Sequence, residues 1–103
     1  MASGVLGTSD LSAATNTSVY TVPSAKTASF SVNFTNRNSV PVQVRLAVSS
    51  SGTPNNADYL MYDVALNANV SLERTGLVAE ATKIVVAYSD TANVSVQVYG
   101  YEE

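Results

Sequence analysis

This sequence has no cysteine, no histidine and no tryptophan, and only 13% of its residues carry charge, about half the share of roughly 25% in ordinary domains. Without cysteine there is no disulfide framework and no thiol nucleophile, and a chain without thiols is indifferent to its redox compartment. Without histidine the usual proton shuttle and the commonest transition-metal ligand are missing. Motif reading therefore points to surfaces rather than to a reaction. The net charge is −3, and the five cations, Lys26, Arg37, Arg45, Arg74 and Lys83, are scattered. Phosphate binding needs clustered Lys or Arg, so neither nucleic acid nor an anionic membrane is expected as a partner. Apolar runs are never long enough for a membrane-spanning helix. The first residues, Met1 to Thr8, combine no basic start with a continuous apolar stretch, so no secretory signal is read there and synthesis in a cytoplasm is expected.

What the chain does have is alternation. Ala28, Phe30, Val32 and Phe34, then Val42, Val44, Leu46 and Val48, then Val94, Val96 and Val98 recur at every second position with mostly small polar residues between them. That period of two is the mark of a strand with one buried face. With 103 residues and 46% hydrophobic content, the chain is the right size for one domain, residues 1–103, with a core of its own. Ser, Thr and Asn supply close to a third of the chain in place of charge. Disorder does not fit so periodic a pattern. A glycosylated exterior is hinted at by Asn-x-Ser/Thr sequons at Asn16, Asn33, Asn69 and Asn93, but so much Asn, Ser and Thr generates sequons by chance. The preferred reading is neutral flanks that pack against neighbours in an assembly, since charge is depleted at interface centres.

Eight strands are expected. The first is weak, at about residues 4–8, inside an N-terminal arm of residues 1–17. The second spans 18–22 and stops at Pro23, which has no N–H to give a central ladder. Strands three (27–35) and four (40–49) are read as a hairpin about Asn36-Arg37-Asn38-Ser39, because asparagine tolerates left-handed turn conformations. The polar stretch Ser49 to Asp58 is expected to be an exposed, mobile loop. Strand five (59–66) points Leu60, Tyr62, Val64 and Leu66 to one side, and strand six (70–74) forms a second hairpin with it. Strand seven (83–89) is apolar on both faces, as in a central strand or one that meets a partner, and strand eight starts at Val94. The one helix-like stretch, Leu77 to Lys83, is too short to hold alone. The fold expected is an all-β antiparallel sandwich of seven to eight strands, jelly-roll or immunoglobulin-like.

Candidate chemistry is sparse. Asp58, Asp63, Asp90, Glu102 and Glu103 read as solvated turn and terminal charges rather than a calcium loop, which needs several oxygens converging. No metal, cofactor or catalytic residue is assigned. Lys26 and Lys83 could in principle form a covalent strand cross-link, but charged edge residues that block unwanted pairing are the plainer reading. Among the aromatics, Phe30, Phe34, Tyr62 and Tyr88 fall on registers read as facing the core, while Tyr59, Tyr99 and Tyr101 face outward. Tyr and Arg are enriched at interface hot spots, so Arg37, Arg45, Tyr59, Arg74, Tyr99 and Tyr101 are the candidate interface residues.

From Tyr20-Thr21-Val22-Pro23-Ser24-Ala25-Lys26-Thr27 onward, the sequence resembles a family of small domains in virion proteins of tailed bacteriophages, especially marine and environmental ones. The likeness runs through Asn33 to Arg37, Val44-Arg45-Leu46-Ala47, Ala57-Asp58-Tyr59, Tyr62-Asp63, Leu72-Glu73-Arg74-Thr75-Gly76-Leu77-Val78 and Val96-Gln97-Val98-Tyr99-Gly100-Tyr101-Glu102. It departs at Ser24-Ala25, where the family often has Gly after the Val-Pro turn. The resemblance implies a β-sandwich building block of virions with no catalytic or cofactor residues to carry over. The expected role is a capsid-decorating or cementing subunit, resident in the virion. Its partners would be the major capsid protein or other virion proteins, together with sister copies in a homo-oligomer such as a trimer. The rival expectation is a tail or fibre accessory module that recognises host-surface glycan through Tyr beside the Ser51 to Asp58 loop.

Overall fold

A computed structural model describes residues Ser3 to Glu103. Eight strands are present: β1 (Ser3–Leu11), β2 (Thr17–Thr21), β3 (Ala28–Asn36), β4 (Val42–Ser49), β5 (Tyr59–Leu66), β6 (Ser71–Ala79), β7 (Ile84–Ser89) and β8 (Val94–Glu102). A single 3-10 turn, Asn56–Asp58, interrupts the β4–β5 connection. Sheet A has the order β1-β8-β3-β6 and sheet B the order β2-β7-β4-β5, and every neighbouring pair is antiparallel. Along the chain every connection crosses from one sheet to the other except β4–β5. Two four-stranded sheets wound in this way form a jelly roll; the immunoglobulin alternative divides its strands differently.

The alternation explains the winding. Phe30, Val32 and Phe34 of β3, Val44 and Leu46 of β4, Val85 and Ala87 of β7, and Val94, Val96 and Val98 of β8 all point into one core between the sheets. Fully burying a side chain of this size contributes roughly 1.5–3 kcal/mol, so these stripes dominate the choice of face. Gly7 lets β1 close over β2: a Cβ there would sit 2.3 Å from the carbonyl oxygen of Val19. Across the core, Tyr20 packs edge-on against Phe30, with ring centroids 6.5 Å apart.

Several sequence expectations need correction. Strands three and four do not form a hairpin, and neither do five and six, because β3 and β6 lie in sheet A while β4 and β5 lie in sheet B. A strand with one apolar face can bury it beside its sequence neighbour or opposite it across the core, and alternation does not distinguish the two. The true consecutive hairpin is β4–β5, across the loop that was expected to be mobile. That loop is exposed, as expected, and carries a short 3-10 turn. Lys83 Nζ donates to Ser50 Oγ at 2.8 Å, Asn55 N–H donates to Asp58 Oδ2 at 2.8 Å, and the 3-10 turn packs beside β4. Gly52 lies against Ser18 of β2. Together these hold the loop over the outside of sheet B, where Ala47 and Val86 are buried without belonging to the main core. Strand seven is accordingly central, between β2 and β4.

The weak first strand is a nine-residue strand paired along its length with β8, and strand six continues to Ala79, taking in Leu77, Val78 and Ala79 of the stretch read as helix-like. Strand five has the opposite sense to the one expected over its first half, while Val64 and Leu66 face the core as expected. Met61 and Leu66 are buried, while Leu60 and Tyr62 are exposed. Two inward residues five apart cannot lie on one face of a regular strand, and a bulge resolves the conflict: Asp63 adopts φ +53°, and the ladder skips from Val44↔Val64 to Leu46↔Met61. The terminal charge Glu102 is not solvated either; it is buried and accepts a hydrogen bond from Tyr20.

Candidate functional site

The six candidate interface residues do not form one surface. Arg45 and Tyr59 lie on the outer face of sheet B, Tyr99 and Tyr101 on the outer face of sheet A, Arg37 in the loop after β3, and Arg74 on the edge strand β6. Arg37 is used internally, donating from Nη2 to Asp10 Oδ1 and so joining β1 to the β3 end. Arg74 is exposed and has no ion-pair partner among the described residues. On β6 it stands next to a bulge at Gly76, where φ is +72° and the pairing with β3 shifts register. Charge and a bulge on a long edge strand deter edge-to-edge pairing with other chains.

Arg45 sits at the centre of the outer face of sheet B. On β4 it lies between β7 and β5, with Tyr88 opposite it on one side and the Tyr62-Asp63 bulge on the other. Because the bulge sets two β5 residues against one of β4, Arg45 meets both a ring and a carboxylate from the same strand. Its guanidinium carbon lies 4.1 Å from the Tyr62 ring centroid and 4.3 Å from that of Tyr88. Nε donates to Asp63 Oδ1 at 2.6 Å and Nη2 to Asp63 Oδ2 at 3.3 Å. The bond to Asp63 raises the guanidinium pKa above its ordinary value, against the opposing effect of burial. Tyr59 meets Tyr62 edge-on at 4.9 Å between centroids. The result is an arginine held in one orientation by two rings and a carboxylate, with Tyr62 left 56% exposed and Leu60 exposed beside it on β5.

Tyr62 and Tyr88 were read as core residues, and the register explains why. Both fall on an apolar alternation, but Tyr62 is displaced by the Asp63 bulge, and Tyr88 pairs with the outward Arg45. The available signal was the charge of Asp63 in an otherwise apolar strand.

The outer face of sheet A is different in character. Thr8 and Asp10 of β1, Ser95 and Gln97 of β8, and Asn33 and Thr35 of β3 line a shallow furrow of about 350 Å³. Towards the chain termini the same face becomes apolar. Tyr99, Tyr101, Leu77 and Val78 border a second furrow of about 340 Å³, and Val5 pairs with Tyr99 at its margin. Val78 is 66% exposed. Close approach of β8 to β3 at Gly100 shapes this end, since a Cβ there would lie 2.1 Å from the Ser29 carbonyl oxygen. Asn33 Oδ1 is shielded from solvent yet has no hydrogen-bond donor.

Two further carboxylates bond to the backbone of the fold. Asp58 accepts from Asn55 N–H within the capped 3-10 turn, and Asp90 accepts from Gln43 N–H at 3.1 Å. No group of three or more His, Cys, Asp or Glu converges among the described residues. No helix among them is long and apolar enough to cross a membrane. Compared with known proteins, the chain matches no family model, no curated protein and no solved structure.

Proposed function

We propose that this protein is a non-catalytic structural subunit of a tailed-phage virion, decorating or cementing the capsid through protein–protein contacts. The observation that carries this reading is the Arg45 cluster. Interface hot spots are enriched in Tyr and Arg, and a side chain already held in its bound conformation loses little entropy on association. Between Tyr62, Tyr88 and Asp63, Arg45 has little freedom left to lose. The jelly roll supports the reading as a fold common to viral capsid domains, although that architecture also serves lectins and enzymes, so fold alone decides nothing. The resemblance of segments from Tyr20 to Glu102 to phage virion domains points the same way. In this reading the subunit meets the major capsid protein or sister copies, as a trimer or another closed oligomer, and stabilises the shell by mass action.

The test is quantitative mass spectrometry of purified virions of the encoding phage, scaled to the major capsid protein. A copy number comparable with the shell protein supports decoration, a few copies move the protein to the tail or portal vertex, and absence overturns the virion reading. Where the protein is present, Arg45→Ala and Tyr62→Ala should lower incorporation by about tenfold or more. Unchanged incorporation of both variants would remove the sheet B face from the contact.

A further inference from the structure

The two furrows on the outside of sheet A lie on one line. Along β8 the outward residues run Ser95, Gln97, Tyr99, Tyr101; beside them on β3 run Thr35, Asn33, Ser31, Ser29. At the rise of a strand this track is roughly 20 Å long. One half offers hydroxyls, two side-chain amides and an acid, and the other half offers tyrosine rings and Val78. We infer that this face is a binding site for a neutral oligosaccharide chain, laid along β8 with sugar rings stacked on Tyr99 and Tyr101 and hydroxyls bonded to Gln97, Asn33 and Asp10.

The chemistry of the lining selects this occupant. An apolar peptide or a second copy's apolar face would cover Gln97, Asn33, Thr35, Ser95 and Thr8 without supplying donors and acceptors along their whole length, and each buried group left unpaired costs about 1–3 kcal/mol. A polyhydroxylated chain supplies both. Gln97 marks the need most sharply, because it is exposed at the furrow and its side-chain amide carries both a donor and an acceptor. Charge narrows the class further. Two carboxylates stand on this face, Asp10 and Glu73, which pairs with Asn33 from β6; Arg37 is taken up by Asp10, and Arg74 follows Glu73 on the edge strand. Carboxylates accept from sugar hydroxyls and repel sulfated, phosphorylated or uronic acid chains. An aromatic ring presents an apolar body to the C–H face of a pyranose while its hydroxyl stays wet. This inference goes beyond the structural role proposed above and does not depend on it: the Arg45 cluster and the sugar track lie on opposite outer faces of the sandwich, so one face can be seated while the other is free.

The experiment is titration of the isotope-labelled protein with cellohexaose, maltohexaose, laminarihexaose, mannohexaose and xylohexaose, with a polygalacturonate oligomer as the anionic control, followed by amide chemical shifts. At least one neutral probe should cause saturable shifts confined to residues 29–35 and 95–101. Tyr99→Ala and Gln97→Ala should each weaken that binding by about tenfold, Tyr99→Phe should restore it by keeping the ring, and Tyr62→Ala on the other sheet should leave it unchanged. Unaltered spectra outside the track guard against a misfolded variant. Failure of all five neutral probes, shifts mapping to another face, or equal binding of the anionic chain would overturn the inference. Absence of the protein from purified virions with sugar binding intact would instead count against the structural role alone.

Discussion

The hydroxyl of Tyr20 donates a 2.5 Å hydrogen bond to Glu102 Oε2, tying β2 of sheet B to β8 of sheet A inside the sandwich. Burial first, and then this bond, raises the tyrosine pKa far above its ordinary value of 10.0. The unfolded chain releases the proton as the pH passes that value while the folded chain keeps it. Stability from this group is therefore complete below pH about 10 and falls by about 1.4 kcal/mol per pH unit above it. Tyr20→Phe should cost roughly 1–3 kcal/mol at neutral pH, because Glu102 is left buried without its donor, and should flatten the alkaline slope. Denaturant titrations at a series of pH values check this; identical slopes in both proteins would refute it.

Asn36 is fully buried and bonds to the backbone of two loops. Nδ2 donates to the carbonyls of Val40 at 2.9 Å, Leu66 at 3.1 Å and Asn67 at 3.1 Å, while Oδ1 accepts from the backbone and side chain of Asn38. Asn38 in turn donates to Ala92. One amide thus joins the β3–β4 and β5–β6 connections and, through Asn38, the β7–β8 turn. Asn36→Leu should destabilise by roughly 2–4 kcal/mol. Asn36→Asp should be nearly as costly, since it replaces the donor with a carboxylate oxygen that faces the carbonyl oxygens of Val40, Leu66 and Asn67. Equilibrium unfolding measures both, and a loss within the range of ordinary surface variants would show the loops to be independent.

Ala25 adopts φ +61° in the turn closed by Lys26 N–H donating to the Pro23 carbonyl at 3.2 Å. Left-handed backbone at the third turn position favours glycine. Ala25 is exposed, so its methyl group contributes little packing. Ala25→Gly should raise stability by about 0.5–1 kcal/mol, relieved strain outweighing the extra freedom of the unfolded chain. A lower melting temperature for this variant would contradict the assignment.

Gly100→Ala should do the reverse. The added methyl would meet the Ser29 carbonyl oxygen and the Phe30 Cα, backbone atoms that cannot swing aside. Parting β8 from β3 in mid-sheet should cost roughly 1–3 kcal/mol and should disturb the amide resonances of Tyr99 and Tyr101 before those of sheet B.

Element positions were legible from periodicity because β3, β4 and β8 each bury one clean stripe, and the first and last residues of these strands fell within a few positions of those expected. Partnership was not legible. Val42, Val44 and Leu46 would be buried equally well beside Phe30 and Phe34 or facing them across the core, so the hairpin reading and the jelly-roll arch share one sequence pattern. The aromatic site was hidden by a different cause. A single left-handed residue, Asp63, reverses the side to which Tyr62 points, and a carboxylate beside a tyrosine does not reveal a bulge until the facing arginine is known. Glu102 shows the same dependence, since a charged residue near the end of the chain is read as solvated unless its buried phenol partner is in view.

The position of β8 between β1 and β3 has a consequence for how this molecule comes into being. A nascent chain emerging from the ribosome has made its Val-rich stripes in β3 and β4 long before residues 94–102 exist to fill the middle of sheet A. Almost all pairings span distant parts of the sequence, the arrangement that folds slowly and leaves unpaired strand edges exposed meanwhile. Folding therefore waits for β8 to be synthesised, and a chain truncated before Val94 is a candidate for aggregation or degradation rather than for assembly.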